Sequence, residues 1–167
     1  MPPERVADLL ESSSALIEAE VKALGPDAAW HPAPGEWCAH EVVGHIVEAE
    51  KRGFAGRIRL FLEHDHPSTE AWDQVEIARE RADCGRDSGS LWSEFAALRR
   101  ESVALVRSLR PEDLGRSGAH SKVGELFVRD LLQEWVHHDR NHTKQLLAIA
   151  QERAWPHMGN AQKFLGD

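Results

Sequence analysis

The chain has 167 residues, a formal charge of -8 with histidine neutral, 41% apolar residues and 29% charged ones. That balance excludes a disordered chain, and the length suits one domain, spanning residues 1–167, that buries a core without staples. The acidic charge argues against non-specific binding to nucleic acid or an anionic membrane, and no apolar run reaches the roughly 20 residues that span a bilayer.

Four helical segments and no strand are predicted. The first runs from about Glu4 to Leu24 on a 3.6-residue stripe of Val6, Leu9, Leu10, Leu16, Ile17 and Leu24, interrupted by Ser13 and Glu20. Gly25-Pro26 ends it. The loop from Trp30 to Trp37 holds two prolines and a glycine, and its tryptophans are expected to fold back onto the bundle. The second helix is predicted from Ala39 to Glu63 with two buryable faces. One carries Val43, Val47, Phe54, Ile58 and Phe61. The other is smaller, with Ala49, Gly53 and Gly56, and suits close approach by another helix. Residues 64–89 form a long irregular crossover, with a short helix expected over 71–81. The third helix runs from about Ser90 to Leu109 and stops at Arg110-Pro111. After a loop, the fourth runs from about Val123 to Ala150, and the tail to Asp167 is expected to add one turn over an end of the bundle. The fold class is all-α, a four-helix bundle with a long crossover between helices two and three.

The N-terminal Met-Pro-Pro-Glu-Arg lacks the apolar core of a signal peptide. Cys38 and Cys84 form no C-x-x-C pair and suggest no disulfide framework. Both points lead to an expected cytoplasmic location, where thiols stay reduced.

Six tryptophans and ten histidines stand out against the absence of tyrosine. The sharpest feature is Trp135-Val136-His137-His138-Asp139-Arg140-Asn141-His142. His138 and His142 are four apart, about 6 Å along a helix axis and about 40° around it, a spacing that chelates one metal from one helix face. With Trp135 at zero, His142 falls at about -20° and His138 at about -60°, on the stripe of Val128, Leu131, Leu146 and Ile149. His137 falls on the opposite face. Buried imidazoles need partners, and a cation satisfies both at once. Glu134 and Asp139 flank the stripe as orienting groups. A third ligand must come from another helix. His45, in the middle of helix two, is the candidate, although the wheel puts it at the edge of the small face. His31, His40, His64, His66, His120 and His157 lie mostly in loops or at helix ends, where exposure is the default.

Helix two preceded by Pro34-Gly35-Glu36-Trp37, then Glu41-x-x-Gly-His45-Ile-x-Glu-x-Glu50, then His138-Asp with His142 and Gln145, resembles the DinB-like superfamily and its YfiT-like members. The resemblance runs from helix one through helix four. It implies a bundle with a long crossover, often a homodimer, in which one histidine of the second helix and an i, i+4 pair of the last bind a divalent metal. Here these are His45, His138 and His142. It also implies a packing or ion-pair role for Glu50 and Arg57.

A metal-dependent enzyme acting on small molecules follows from this. Zinc, nickel, iron or manganese is expected in a three-nitrogen site, where an open position suits either hydrolysis or S-transfer from a low-molecular-weight thiol. Glu48 and Asp139 are the nearest candidates by spacing for a general base. The alternative is a non-catalytic helical dimer of the stress response, with a structural metal or none.

Overall fold

The computed structural model describes residues 1–164; the end of the tail, 165–167, lies outside them. Four long stretches of helix build a bundle: α1 (Pro3–Leu24), the pair α2 (Ala39–Glu48) and α3 (Ala55–Glu63), α5 (Ser88–Ser108) and α6 (Val128–Ala154). A short α4 (Gln74–Arg81) lies in the crossover. The first helix starts at Pro3, where a missing N–H costs nothing, and ends at Gly25 with φ +52°.

The predicted second helix is two helices. Ala49–Gly53 forms a π turn in which the Phe54 N–H bonds to the Ala49 carbonyl, 2.9 Å away. One extra residue in the turn offsets α3 from α2 by about 100°. Gly56 serves this turn. A Cβ there would overlap the Lys51 carbonyl, so the small residue answers a backbone within its own segment and not a neighbouring helix. Gly53 has no close neighbour of that kind. The tight approach on this segment is at Gly44, where a Cβ would overlap the Asp83 carboxylate of the crossover.

Three short strands correct the strand-free expectation. β1 (Ser68–Thr69) pairs in parallel with β2 (Ser117–His120), which forms an antiparallel hairpin with β3 (Gly124–Phe127). The stretch 124–127 is therefore extended, and α6 begins at Val128. Gly124, at φ +82°, opens β3 from the turn. With two to four residues per strand and no clear alternation, these elements leave little periodic signal.

The core is two apolar clusters. One gathers Leu10, Phe54, Ile58, Phe61, Val106, Leu132 and Trp135. The other gathers Ile17, Val42, Ile46, Leu91, Phe95, Leu146 and Ile149, with the half-buried Trp30 and Trp37 packed on it as the loop reading expected. A buried polar layer lies between them along the four long stretches, with Ser13 on α1, Glu50 in the π turn, Arg99 and Ser102 on α5, and Asp139 and Thr143 on α6. Arg99 sends Nε to Glu50 Oε1 (2.6 Å) and its terminal nitrogens to Asp139 (2.5 and 3.2 Å), with a further bond to the Leu10 carbonyl (2.9 Å). Ser102 donates to Glu50. One guanidinium thus joins α1, the π turn, α5 and α6.

The crossover is held by a second charged cluster. Arg81 reaches Glu48 (2.8 Å), Asp83 (2.6 Å) and Glu94 (3.2 Å); Arg86 and Lys51 also reach Glu94 (2.7 and 2.8 Å). Asp73 caps α4, accepting from the Val75 and Glu76 N–H groups. Cys38 and Cys84 are joined, with Cα atoms 6.5 Å apart, which corrects the expectation of two separate thiols. Among the described residues no helix is long and apolar enough to cross a membrane.

Candidate metal centre

The fold brings His45, His138 and His142 together. One ring nitrogen of each lies within 4.8 Å of the others. His45 Nε2 and His138 Nε2 are 3.0 Å apart, and the His45–His142 and His138–His142 ring centroids are 4.6 and 4.5 Å apart. The i, i+4 spacing on α6 sets the second pair, as the wheel expected. His45 was harder to see because all of α2 but Glu41 is buried, so a wheel distinguishes no inner face.

Each ring is held differently. His142 Nδ1 donates to Gln145 Oε1 (2.9 Å), which leaves its Nε2 lone pair free. His45 is stacked by Trp72 (5.5 Å) and tilted against Trp37 (5.1 Å). His138 meets the edge of Phe54 at 5.1 Å. Among the described residues, Nδ1 of His45 and of His138 is buried without a hydrogen-bond partner; Asp139 Oδ1 stands 4.0 Å from the latter. Burial, then the charges of His142 and His138, push the His45 pKa down to about 3. Burial and His138 also lower that of His142, against the pull of Gln145. Burying Nδ1 of His45 and of His138 is not offset by a hydrogen bond among the described residues, and converging neutral imidazoles are the donor set of a borderline divalent cation. The residues fit such an ion.

The three rings line a cavity of about 340 Å³. Its walls are Trp37, Phe54 and Trp72 on the apolar side and Arg57, His120 and Glu134 on the polar side. Arg57 donates to His120 Nε2 (2.9 Å) and to the Glu70 carbonyl (3.2 Å). Burial lowers the Arg57 pKa and Glu134 pulls it up; burial and Arg57 lower that of His120.

Several sequence expectations change here. Glu48 is taken up by Arg52, Lys51 and Arg81, and Asp139 by Arg99; neither lines the cavity, so neither is placed as a general base. Asp139 lies inside the buried stripe, fully enclosed, not beside it. Glu50 makes the ion pair that the resemblance implied, whereas Arg57 faces the cavity. His120 and His40 are buried, the latter bonded to Ser88; His31, His64, His66, His137 and His157 are exposed as expected. His120 was missed because β2, which carries it, has no readable period. Trp72 lay in the irregular crossover and carried no motif.

The sequence model of the DinB superfamily matches residues 9–146, a span that includes all three histidines. The chain belongs to the DinB superfamily. Over 121 residues it is 22% identical to a protein of Oceanobacillus iheyensis named "Putative metal-dependent hydrolase OB0782", and 23% identical to one of Bacillus mycoides with the same description. Each alignment covers 72% of this chain and 69% of the relative. Among solved structures the fold matches YfiT from Bacillus subtilis, described as "a probable metal-dependent hydrolase with an unusual four-helix bundle topology". The TM-score is 0.82 at 17% identity, over 92% of this chain and 88% of that one. The bundle and its crossover are therefore those of this DinB-like fold.

Proposed function

We propose that the chain is a hydrolase of small molecules that uses a divalent metal held by His45, His138 and His142. The observation that carries this reading is the convergence of three imidazoles in an open cavity, with His45 and His142 held neutral, the protonation state in which histidine ligates metals. The hydrolase names of the relatives support the same reading. When bound, such an ion supplies Lewis acidity and makes water a nucleophile near neutral pH.

The chain's own residues divide the remaining work. Gln145 fixes the His142 tautomer. Arg57 presents a half-buried guanidinium to an anionic group of the substrate. Glu134, the one carboxylate among the described residues that line the cavity, accepts a proton there. Trp37 and Trp72 shield the rings from water and offer flat apolar surface to the substrate. Zinc, nickel, iron and manganese are all compatible with the nitrogen donors. The same aromatic wall also accepts a thiol cosubstrate, which gives S-transfer to an electrophile as the second reading; a non-catalytic homodimer is the third.

The test is metal content by elemental analysis of protein purified without chelator, histidine tag or reductant, in wild type and His142→Ala. About one metal per chain, lost in the variant, is expected. Turnover of an ester, amide or lactam panel without thiol then marks the hydrolase, and turnover of electrophiles only with thiol marks the transferase. No metal in either protein after reconstitution with all four ions overturns the metalloenzyme.

A further inference from the structure

A second donor cluster lies outside this cavity. His31, Cys38, Glu41 and Cys84 each place one ligand-type atom within 4.8 Å of the others. They come from three segments: the loop before α2, the first turn of α2, and the crossover turn Asp83–Gly85 that follows α4. Cys38 is buried and Cys84 half-buried.

The orientation of His31 is the telling detail. Its Nδ1 lies 2.7 Å from the Glu36 carbonyl oxygen and must donate to it. The ring therefore carries its lone pair on Nε2, which sits 3.3 Å from Cys84 Sγ. In the joined state that sulfur has no proton to offer, so the lone pair meets no donor there. A ring N–H donated to a backbone carbonyl is a common way of fixing the tautomer of a metal-binding imidazole, and here it turns the free lone pair toward Cys84 Sγ. Glu41 is held beside it. Its Oε2 accepts from the Cys38 N–H (2.9 Å) and stands 3.6 Å from His31 Nδ1.

We propose that, with the cysteines reduced, His31, Cys38, Glu41 and Cys84 form a zinc site separate from the three histidines. Two thiolates, one imidazole and one carboxylate make a four-donor set for tetrahedral zinc, and the sulfurs select it over magnesium, calcium or manganese. The disulfide is the closed form of the site. Two molecules of a low-molecular-weight thiol supply two electrons and leave as their own disulfide; Cys38 and Cys84 emerge as thiols. Zinc then replaces the two thiol protons. In either form the crossover stays tied to the start of α2.

Cobalt(II) is the probe, because thiolate-to-cobalt charge transfer absorbs in the near ultraviolet and histidine ligation does not. The 167-residue chain, reduced with a non-chelating phosphine, is titrated with cobalt, then with zinc. The charge-transfer band is expected in reduced wild type and in His138→Ala/His142→Ala. It is expected to fall by half or more in Cys84→Ser, to be absent from Cys38→Ser/Cys84→Ser and from air-oxidised wild type, and to be bleached by about one equivalent of zinc. Circular dichroism confirms that the variants are folded; Cys84→Ser, on the half-buried side, suffices if the double variant is not. No band in reduced wild type, or an undiminished band in Cys84→Ser, overturns the site. Because the band reports sulfur alone, it stands or falls independently of metal at the three histidines.

Discussion

Arg99 carries a positive charge into the middle of the bundle, where it faces two carboxylates. Burial raises the Glu50 pKa despite Arg99, whereas Asp139, also opposed by burial, is held low by the same guanidinium. Removing the cation leaves Glu50 and Asp139 enclosed together. Arg99→Met should therefore cost about 3–5 kcal/mol in urea unfolding, the range for breaking a buried ion pair from one side. An unchanged midpoint would mean that the layer is not carried by this charge. A gentler change tests the site. Gln145→Ala removes the hydrogen-bond acceptor of His142 Nδ1 and leaves the Arg99, Glu50 and Asp139 side chains unchanged. Metal affinity should fall about tenfold with the helix intact, read by calorimetric titration beside a circular dichroism spectrum. The metal centre and the buried layer also differ in how far the sequence reveals them. His138 and His142 were legible because one helix carries both at a chelating interval. Arg99 was not, because each of its partners comes from a different segment and an arginine among the polar residues of a helix gives no sign of facing inward.

The four long helical stretches were legible from periodicity and from their Gly and Pro stops, nearly to the residue for α1 and α5. The interruption in helix two was not. Two glycines in one segment pointed to a packing reason, but composition cannot say whether the close neighbour is another helix or the segment's own backbone. The neighbour is the Lys51 carbonyl, turned toward Gly56 by the π turn. Gly56→Ala should accordingly destabilise by about 1–3 kcal/mol, the cost of forcing atoms into filled space, although alanine favours an ordinary helix. Gly53→Ala, with no such neighbour, is the matched control and should not share the loss. Chemical denaturation of the pair reads the difference. Equal effects would show that helix propensity, not the π turn, sets the requirement at Gly56.

At the scale of the molecule, the crossover is brought back over α2 to complete the cavity, and charge holds it there beside the Cys38–Cys84 link. Trp72 and Gln74 of that crossover form part of the cavity wall. Arg81 and Arg86, both held by Asp83 within the crossover, anchor it to Glu48 on α2 and Glu94 on α5. None of this was legible, since a run of alternating charges reads as a solvated surface until its partners are known. The anchor should respond to acid. Burial opposes ionisation of Glu94, but hydrogen bonds from Arg81, Lys51 and Arg86 outweigh it and bring its pKa down to about 2 from 4.5. For Glu48, too, burial is outweighed, here by Arg52, Lys51 and Arg81. A carboxylate held lower in the folded chain than in the unfolded one adds stability that is complete above the unfolded value. That stability is lost as pH falls from about 4.5 toward 2. Glu94→Gln should remove part of it, leaving the protein about 1 kcal/mol less stable at neutral pH, a modest figure because solvent screens these partly exposed pairs. The variant's stability should also fall less steeply than that of wild type between pH 4.5 and 2. Parallel acid limbs for the two proteins, measured by urea unfolding at stepped pH, would show that Glu94 does not hold the crossover by its charge.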